Sequence, residues 1–239
     1  MILRRLVEAG SNRFPRLAAF RDRQRPATFV GWDDGFNGQR ERRKLMKEVT
    51  LSIGVDAFVE TGTHHGATAA YVRAKFDLPV WTVELNPRSY ELCRWRFRDD
   101  PHVHVNKGDS RPFLRKLVDE LKGRRCIFYL DAHWYDDLPL ADELHIIGAA
   151  WEEWIVVVDD FRVEDDPKYY FDDYGPGRVL EYSYLPTDLS EVEAFWPAAK
   201  GMEESYPWRG CIVLGHGNEV IKALRSCTTL RPAGVGRDR

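Results

Sequence analysis

The sequence predicts an α/β fold: an open, mostly parallel sheet with helices on both faces. Three observations carry this reading. Short strand-like runs recur at Ala57–Val59, Val80–Val83, His102–Val105, Cys126–Leu130 and Trp154–Val158. Most of them are continuous in Val, Ile, Phe and Trp, the pattern of strands covered on both faces. Segments with helical spacing separate them, at Ala67–Ala74, Arg88–Phe97, Arg111–Leu121 and Leu138–Ala149. Strands alternating with helices of this length form right-handed βαβ units and hence a parallel sheet. The third observation is that successive strands end in a carboxylate or a polar turn, which is where open parallel sheets bind ligands.

In chain order, residues 1–26 carry seven arginines against Glu8 and Asp22. This stretch reads as a solvated, partly helical arm. A turn rich in Gly, Asn and Asp follows at Asp33–Gly38, and Gln39–Val49 (QRERRKLMKEV) then has good helix formers at helical spacing. Residues 1–53 are therefore expected to be a helical extension, residues 54–227 the α/β domain, and the Arg/Gly-rich residues 228–239 a frayed tail. Gly210–Leu214 and Glu219–Leu224 read as two closing strands, which gives a seven-stranded sheet. The 239 residues suffice for one well-buried core.

Composition excludes several classes. No apolar run approaches the roughly 18 residues of a membrane span. MILRRLVEAG lacks the apolar core of a signal peptide. Cys93, Cys126, Cys211 and Cys227 form no C-x-x-C pattern and read as reduced thiols. The expectation is a cytoplasmic protein with no membrane partner; a homo-oligomer is compatible with the sequence. The net charge of −3 hides an asymmetry, since residues 131–205 carry twenty acids against Arg162, Lys168, Arg178 and Lys200. Such loops repel a phosphate backbone, so nucleic acid is not the expected substrate.

The chain is organised around DAFVETGTHHGAT, residues 56–68. A strand, a turn with Gly62 and Gly66, and a helix bring backbone N–H groups and a helix N-terminus up to a ligand. The glycines permit positive φ and close approach. The spacing Gly62-x-x-x-Gly66 is not the G-x-G-x-x-G dinucleotide fingerprint. Glu60 at the strand end suits a cationic ligand better than a pyrophosphate. Glu84 ends the second strand about 20 residues further on, the usual place of a carboxylate that holds a ribose diol. Gly108-Asp109-Ser110 follows the third strand, and Asp131 ends the fourth.

Taken in series, VETGTHHGAT, TVELN, KGDS and FYLDAHW resemble the motifs of class I S-adenosylmethionine (SAM) dependent methyltransferases, over residues 55–161. The resemblance implies a Rossmann-like sheet closed by an antiparallel C-terminal hairpin. It also implies an N-terminal helix packed over the cofactor site, with Phe36-Asn37-Gly38-Gln39 as its entry. Glu60, Gly62 and Gly66 would surround the methionine part of SAM, with Thr61, Thr63 and Thr68 of the same loop also binding cofactor. Glu84 would hold the ribose hydroxyls. Asp109 and Ser110 would border the adenine, and Asp131 would face the cofactor.

Asp131, Asp159 and Asp160 form a second constellation. If the fourth and fifth strands are neighbours, three carboxylates converge, which is costly unless they are protonated, solvated or bound to a cation. Oxygen ligands suit a hard ion such as Mg²⁺. The LDAH…VVVDDF pattern resembles the metal-dependent macrocin-type sugar and macrolide O-methyltransferases, which implies Mg²⁺ ligation by Asp131, Asp159 and Asp160. The alternative is an acidic edge facing SAM, with Asp160 capping a helix. His133 has the ordinary pKa of a general base and by the resemblance would take the acceptor's proton; it equally reads as a loop histidine bonded to the acids. His64 and His65 read as bystanders, His102 and His104 as structural. Lys168–Gly177 (KYYFDDYGPG) could cover an acceptor with Tyr169, Tyr170, Phe171 and Tyr174.

The sequence thus points to an O-methyltransferase acting on a small hydroxylated molecule, with SAM and Mg²⁺ as cofactors. A metal-independent methyltransferase and a non-catalytic SAM-fold module are the alternatives.

Overall fold

The structure is a computed structural model that describes residues 13–24, 35–133 and 137–234. Most of the arginine-rich arm, the start of the Asp33–Gly38 turn and the last residues of the tail lie outside them. Among the described residues the helices are α1 (Pro15–Arg23), α2 (Arg40–Ile53), α3 (Ala67–Phe76), α4 (Pro87–Arg96), α5 (Ser110–Glu120), α6 (Leu140–Ala150) and α7 (Asn218–Ser226). The strands are β1 (Ala57–Thr61), β2 (Val80–Glu84), β3 (Val103–Lys107), β4 (Cys126–Leu130), β5 (Trp154–Asp159), β6 (Val192–Pro197), β7 (Cys211–His216) and β8 (Leu230–Pro232).

The strands form one sheet in the order β3-β2-β1-β4-β5-β7-β6-β8. β1 to β5 run parallel, with Thr61 opposite Leu130 and Leu130 opposite Val158. β7 is antiparallel to β5 and β6, and β8 is antiparallel to β6. From β1 the chain winds outward through β2 and β3, then returns to place β4 on the other side of β1. That reversal opens a crevice above the ends of β1 and β4, where open α/β sheets bind ligands.

Alternation of side chains on β1, β4 and β5 divides the core into two layers. Val59, Phe128 and Val156 face Leu114 and Leu117 of α5 and Leu144 and Ile147 of α6. Phe58, Ile127 and Val157 face Leu45, Met46 and Val49 of α2, Val72 of α3, and Val220 and Leu224 of α7. α2 ends at Gly54, whose φ of 65° is the left-handed C-cap that glycine adopts most readily. No helix of the described residues is long and apolar enough to cross a membrane.

The C-terminal region corrects the sequence reading in three places. Glu219–Leu224 is helix α7, not a strand. Its buried residues are Val220 and Leu224, a helical i, i+4 pair, and the alternation a half-buried strand requires is missing. The partner of β7 in the antiparallel hairpin is β6 (VEAFWP), whose first three residues, Val192-Glu193-Ala194, are only half-buried. The residues after Thr228 were expected to fray, yet Leu230–Pro232 adds an eighth strand on β6. Glu48 of α2 anchors this segment by accepting hydrogen bonds from the Thr228 and Thr229 backbone N–H groups, at 2.9 and 2.8 Å.

Candidate active site

The glycine turn forms as its sequence requires. Gly62 and Gly66 have φ of 89° and 74°. A Cβ on Gly62 would lie 2.3 Å from the Asp131 carbonyl oxygen, and one on Gly66 would lie 2.6 Å from the Phe97 ring. Only glycine lets the β1 turn close against the end of β4 and against α4. The Gly62 N–H donates to the Val83 carbonyl at 3.0 Å, which ties the turn to the tip of β2.

Glu60 lies inside this cradle, fully covered, and accepts a hydrogen bond from Thr82 Oγ1 at 2.7 Å. Thr63 Oγ1 lies 2.5 Å from the same threonine hydroxyl. Burial lifts the Glu60 pKa to about 8, against the opposing Thr82 bond, so Glu60 carries a proton at neutral pH. Glu84 is also buried at the tip of β2. Its two oxygens accept the His64 and Asn86 backbone N–H groups, each at 2.7 Å. Burial raises its pKa, with those backbone bonds opposing. The Glu84 carboxylate is thereby fixed beside the turn before any ligand arrives.

Two predicted cofactor contacts have other local duties. Thr68 Oγ1 accepts the Phe36 N–H at 3.0 Å and so holds the Phe36–Gly38 turn over the cradle. Asp109 caps α5 by accepting the Arg111 N–H at 2.8 Å and pairs with the Arg111 guanidinium at 2.5 Å. Ser110 and Thr61 are buried, and their hydroxyl oxygens make no hydrogen bond. Glu143 of α6 joins them. It is 1% exposed, and its Oε1 is also without a partner. Burial pushes its pKa up to about 7, against the nearby Ser110 and Thr61 hydroxyls. Sequence reasoning missed Glu143, although the signal was present. Leu140, Glu143, Leu144 and Ile147 are the buried face of α6, so the acid stands on an apolar i, i+3, i+4, i+7 stripe.

β4 and β5 are neighbours, and the acids at their ends separate into two groups. Asp131, His133 and Asp160 each offer a ligand atom, and these atoms all lie within 4.8 Å of one another. Asp159 is not in that group. Its Oδ1 takes the Arg42 guanidinium at 2.5 Å, and its Oδ2 accepts from Tyr129 Oη at 2.7 Å and Asn37 Nδ2 at 3.2 Å. Burial opposes ionisation of Asp159, but the Arg42 charge and these hydrogen bonds outweigh it and hold its pKa below the usual carboxylate range. No local pattern announces this pairing, because Arg42 lies in the extension helix, 117 residues away.

Asp160 sits at φ 52°, which swings its side chain away from the direction of Asp159. Burial and the Asp159 charge push its pKa well up. Burial and the charges of Asp159, Asp160 and Glu60 do the same to Asp131. His133 is 2% exposed, and its Nε2, 3.7 Å from Asp131 Oδ1, has no hydrogen-bond partner. Burial lowers its pKa to about 4, so the imidazole is neutral at pH 7 and presents a lone pair.

One cation borders the group. Arg209, just before β7, lies 3.2 Å from Asp160 Oδ1 and 2.7 Å from Asp172 Oδ1. Tyr174 Oη stands between Asp172 Oδ2, at 2.6 Å, and the His133 carbonyl. Of the aromatic segment, then, Tyr174 reaches the acids. Tyr169 is buried and donates to the Ala199 carbonyl at 3.0 Å, and Phe171 stacks under Arg162. His64 and His65 stack on each other at 3.8 Å, and His104 stacks on Trp81 at 4.7 Å.

No family model matches the sequence, and no curated protein matches it. Solved structures do match in three dimensions. A provisionally assigned caffeoyl-CoA O-methyltransferase of Staphylococcus aureus aligns over 74% of this chain and 84% of its own, with a TM-score of 0.51 at 12% identity. A provisionally assigned O-methyltransferase of Klebsiella pneumoniae covers 74% and 79%, with a TM-score of 0.50 at 12% identity. MtNAS, solved in complex with MTA and tNA, covers 85% and 70%, with a TM-score of 0.54 at 13% identity. At such identities the likeness is one of fold: this chain has the Rossmann-like α/β architecture of the O-methyltransferases, with the antiparallel hairpin at one edge of the sheet.

Proposed function

We propose that this chain is a SAM-dependent O-methyltransferase acting on a hydroxyl of a small molecule, with a divalent cation such as Mg²⁺ at the acceptor end. The observation that carries the reading is the set of residues gathered at the strand ends. A glycine turn that admits backbone close to a ligand, a carboxylate fixed at the tip of β2 and a neutral buried histidine beside two acids meet above the β1–β4 reversal.

The cradle fits SAM. Glu84 would accept the ribose hydroxyls, charge-assisted bonds worth about 1.5–3 kcal/mol. The unpartnered oxygens of Thr61, Ser110 and Glu143 offer further polar contacts at the cofactor end of the crevice. Bound SAM supplies an electrophilic sulfonium methyl. The chain's part is to exclude water, to align the acceptor oxygen and to take its proton. His133 is neutral and unpartnered at Nε2, which suits it to that proton transfer or to metal ligation.

The acids also fit a cation. His133 Nε2 and Asp160 Oδ1 are buried without hydrogen bonds, and Asp131 completes the group. A bound divalent ion would act as a Lewis acid toward an acceptor oxygen. Asp159, tied to Arg42, would position Asp160 through the backbone rather than ligate. A metal-independent reaction is the second reading, and Arg209 favours it, since its guanidinium already supplies positive charge to Asp160 and Asp172.

Calorimetry with SAM tests the central claim. The wild-type chain should bind SAM, and Glu84→Ala should bind about 10- to 100-fold more weakly with its circular dichroism spectrum retained and a lowered melting temperature, because the His64 and Asn86 N–H groups lose their acceptor. Equal affinities would remove Glu84 from the site. NAD binding in place of SAM would overturn the proposal.

A further inference from the structure

The β3 edge of the sheet carries a second surface. α1 packs on α4 with its inner face, where Ala19 and Asp22 are buried. Asp22 is bidentate with Arg88, with both bonds at 2.5 Å. The outer face is unusual for a soluble helix. Phe14, Leu17 and Phe20 follow one another at i, i+3, i+6 and are 63%, 53% and 46% exposed. Arg13, Arg16 and Arg21 lie between them, all exposed. Large apolar side chains gathered on one exposed helix face mark an interaction surface.

Beside this face runs a groove of about 340 Å³, lined by Arg16, Phe20 and Arg23 of α1 and by Arg94, Trp95 and Arg98. Arg23 stacks on Phe20 and on Trp95, at 4.3 and 5.0 Å, and Arg98 stacks on Trp95 at 4.7 Å. Glu91 is the acid that lines the groove, 3.5 Å from Arg16 and 4.0 Å from Arg94. The positive charge therefore exceeds the negative.

We infer that this face docks on an anionic phospholipid surface, with headgroup phosphates in the arginine groove and Phe14, Leu17 and Phe20 entering the interface. Interfacial helices combine these two features: apolar side chains that enter the headgroup boundary and arginines that pair with anionic lipid. Three arguments favour lipid over nucleic acid. Leu17 offers no stacking face for a base. Phe14 and Leu17 stand outside the groove, on the exposed face of the helix. Both aromatic rings of the groove, Phe20 and Trp95, already carry guanidinium groups on their faces.

Sedimentation of the full chain with vesicles tests this. Binding is expected to phosphatidylcholine vesicles containing about 30% phosphatidylglycerol and not to pure phosphatidylcholine. It should weaken at least about tenfold between 0.1 and 0.5 M NaCl, as surface electrostatics demand. Phe14→Ser/Leu17→Ser/Phe20→Ser and Arg16→Glu/Arg23→Glu should each reduce it by about tenfold or more, with circular dichroism and SAM affinity as in the wild type. Failure of the wild type to bind anionic vesicles overturns the inference, as does binding that both variants retain. Tighter binding to a single-stranded oligonucleotide than to vesicles assigns the face to nucleic acid instead. Displacement from vesicles by about 10 mM inorganic phosphate at constant ionic strength reduces it to a free phosphate site.

Discussion

Arg42→Met is the sharpest test of how the acid cluster is built. Arg42 and Asp159 are 2% and 1% exposed, joined at 2.5 Å. Methionine keeps the apolar stem of the arginine and removes the charge. The Asp159 carboxylate then keeps its Tyr129 and Asn37 donors but loses its cation in a site closed to water. Breaking a buried pair from one side costs about 3–5 kcal/mol. For a chain of this size each kcal/mol moves the melting temperature by about 2–4 °C, so a fall of roughly 6–20 °C is expected at pH 7. In the wild type the Asp159 pKa is depressed. The pair's contribution is therefore present above the ordinary carboxylate range and is lost as pH falls through the lowered folded value. In the variant, burial raises that pKa with only the Tyr129, Asn37 and Asp160 N–H hydrogen bonds left to oppose it. The deficit relative to wild type should shrink as pH is lowered toward 5, because a protonated Asp159 is cheaper to bury. Adding Asp159→Asn should recover at least half of the lost stability. Thermal melts followed by circular dichroism at pH 7 and pH 5 decide the matter. A melting temperature within about 2 °C of wild type at pH 7, or a double variant less stable than Arg42→Met alone, would refute the reading of Asp159 as a structural anchor.

The same partition predicts which side chains bind metal. Mn²⁺ affinity, read by electron paramagnetic resonance, should fall at least about tenfold in Asp131→Asn, His133→Ala and Asp160→Asn, the scale of losing one ligand or its support. Asp159→Asn should lower the melting temperature and weaken Mn²⁺ binding less than any of those three, because the amide oxygen can still accept the Asp160 N–H. The opposite pattern, with His133→Ala binding normally and Asp159→Asn not binding, would restore the three-aspartate set that the sequence suggests. Glu143 gives a pH signature. Its folded pKa of about 7 stands above the ordinary 4.5, so its favourable contribution is full below the ordinary value and is lost as pH rises through 7. Wild-type stability should fall by up to about 3 kcal/mol more than that of Glu143→Gln between pH 4.5 and 8. Parallel urea-unfolding curves for the two proteins across that range would show that Glu143 does not titrate with folding.

The parallel half of the fold was legible because local chemistry dictates it. Val, Ile and Phe runs of strand length, helices at 3.6 spacing and two glycines that must take positive φ leave few alternatives for Ala57–Asp159. Glu60 and Glu84 were legible as cradle carboxylates for the same reason, since a strand tip next to a glycine turn fixes where they stand. The C-terminal third was not. Glu219–Leu224 is a short amphipathic stretch in which helix and strand periodicities are hard to separate, β6 mixes Val192, Phe195 and Trp196 with Glu193 and Pro197, and the three residues of β8 pair because the β6 edge offers hydrogen bonds. The site divided along the same line. That Asp131, Asp159 and Asp160 stand at adjacent strand ends follows from sequence and topology. Which of them faces the crevice was decided by Arg42, Tyr129 and Asn37, brought from distant segments. A buried carboxylate takes the nearest cation it can reach, and reach is a property of tertiary packing. The neutral state of His133 and the arginine groove of α1 and α4 likewise depend on which surfaces are removed from water when the helices dock, and no local pattern in the chain encodes that.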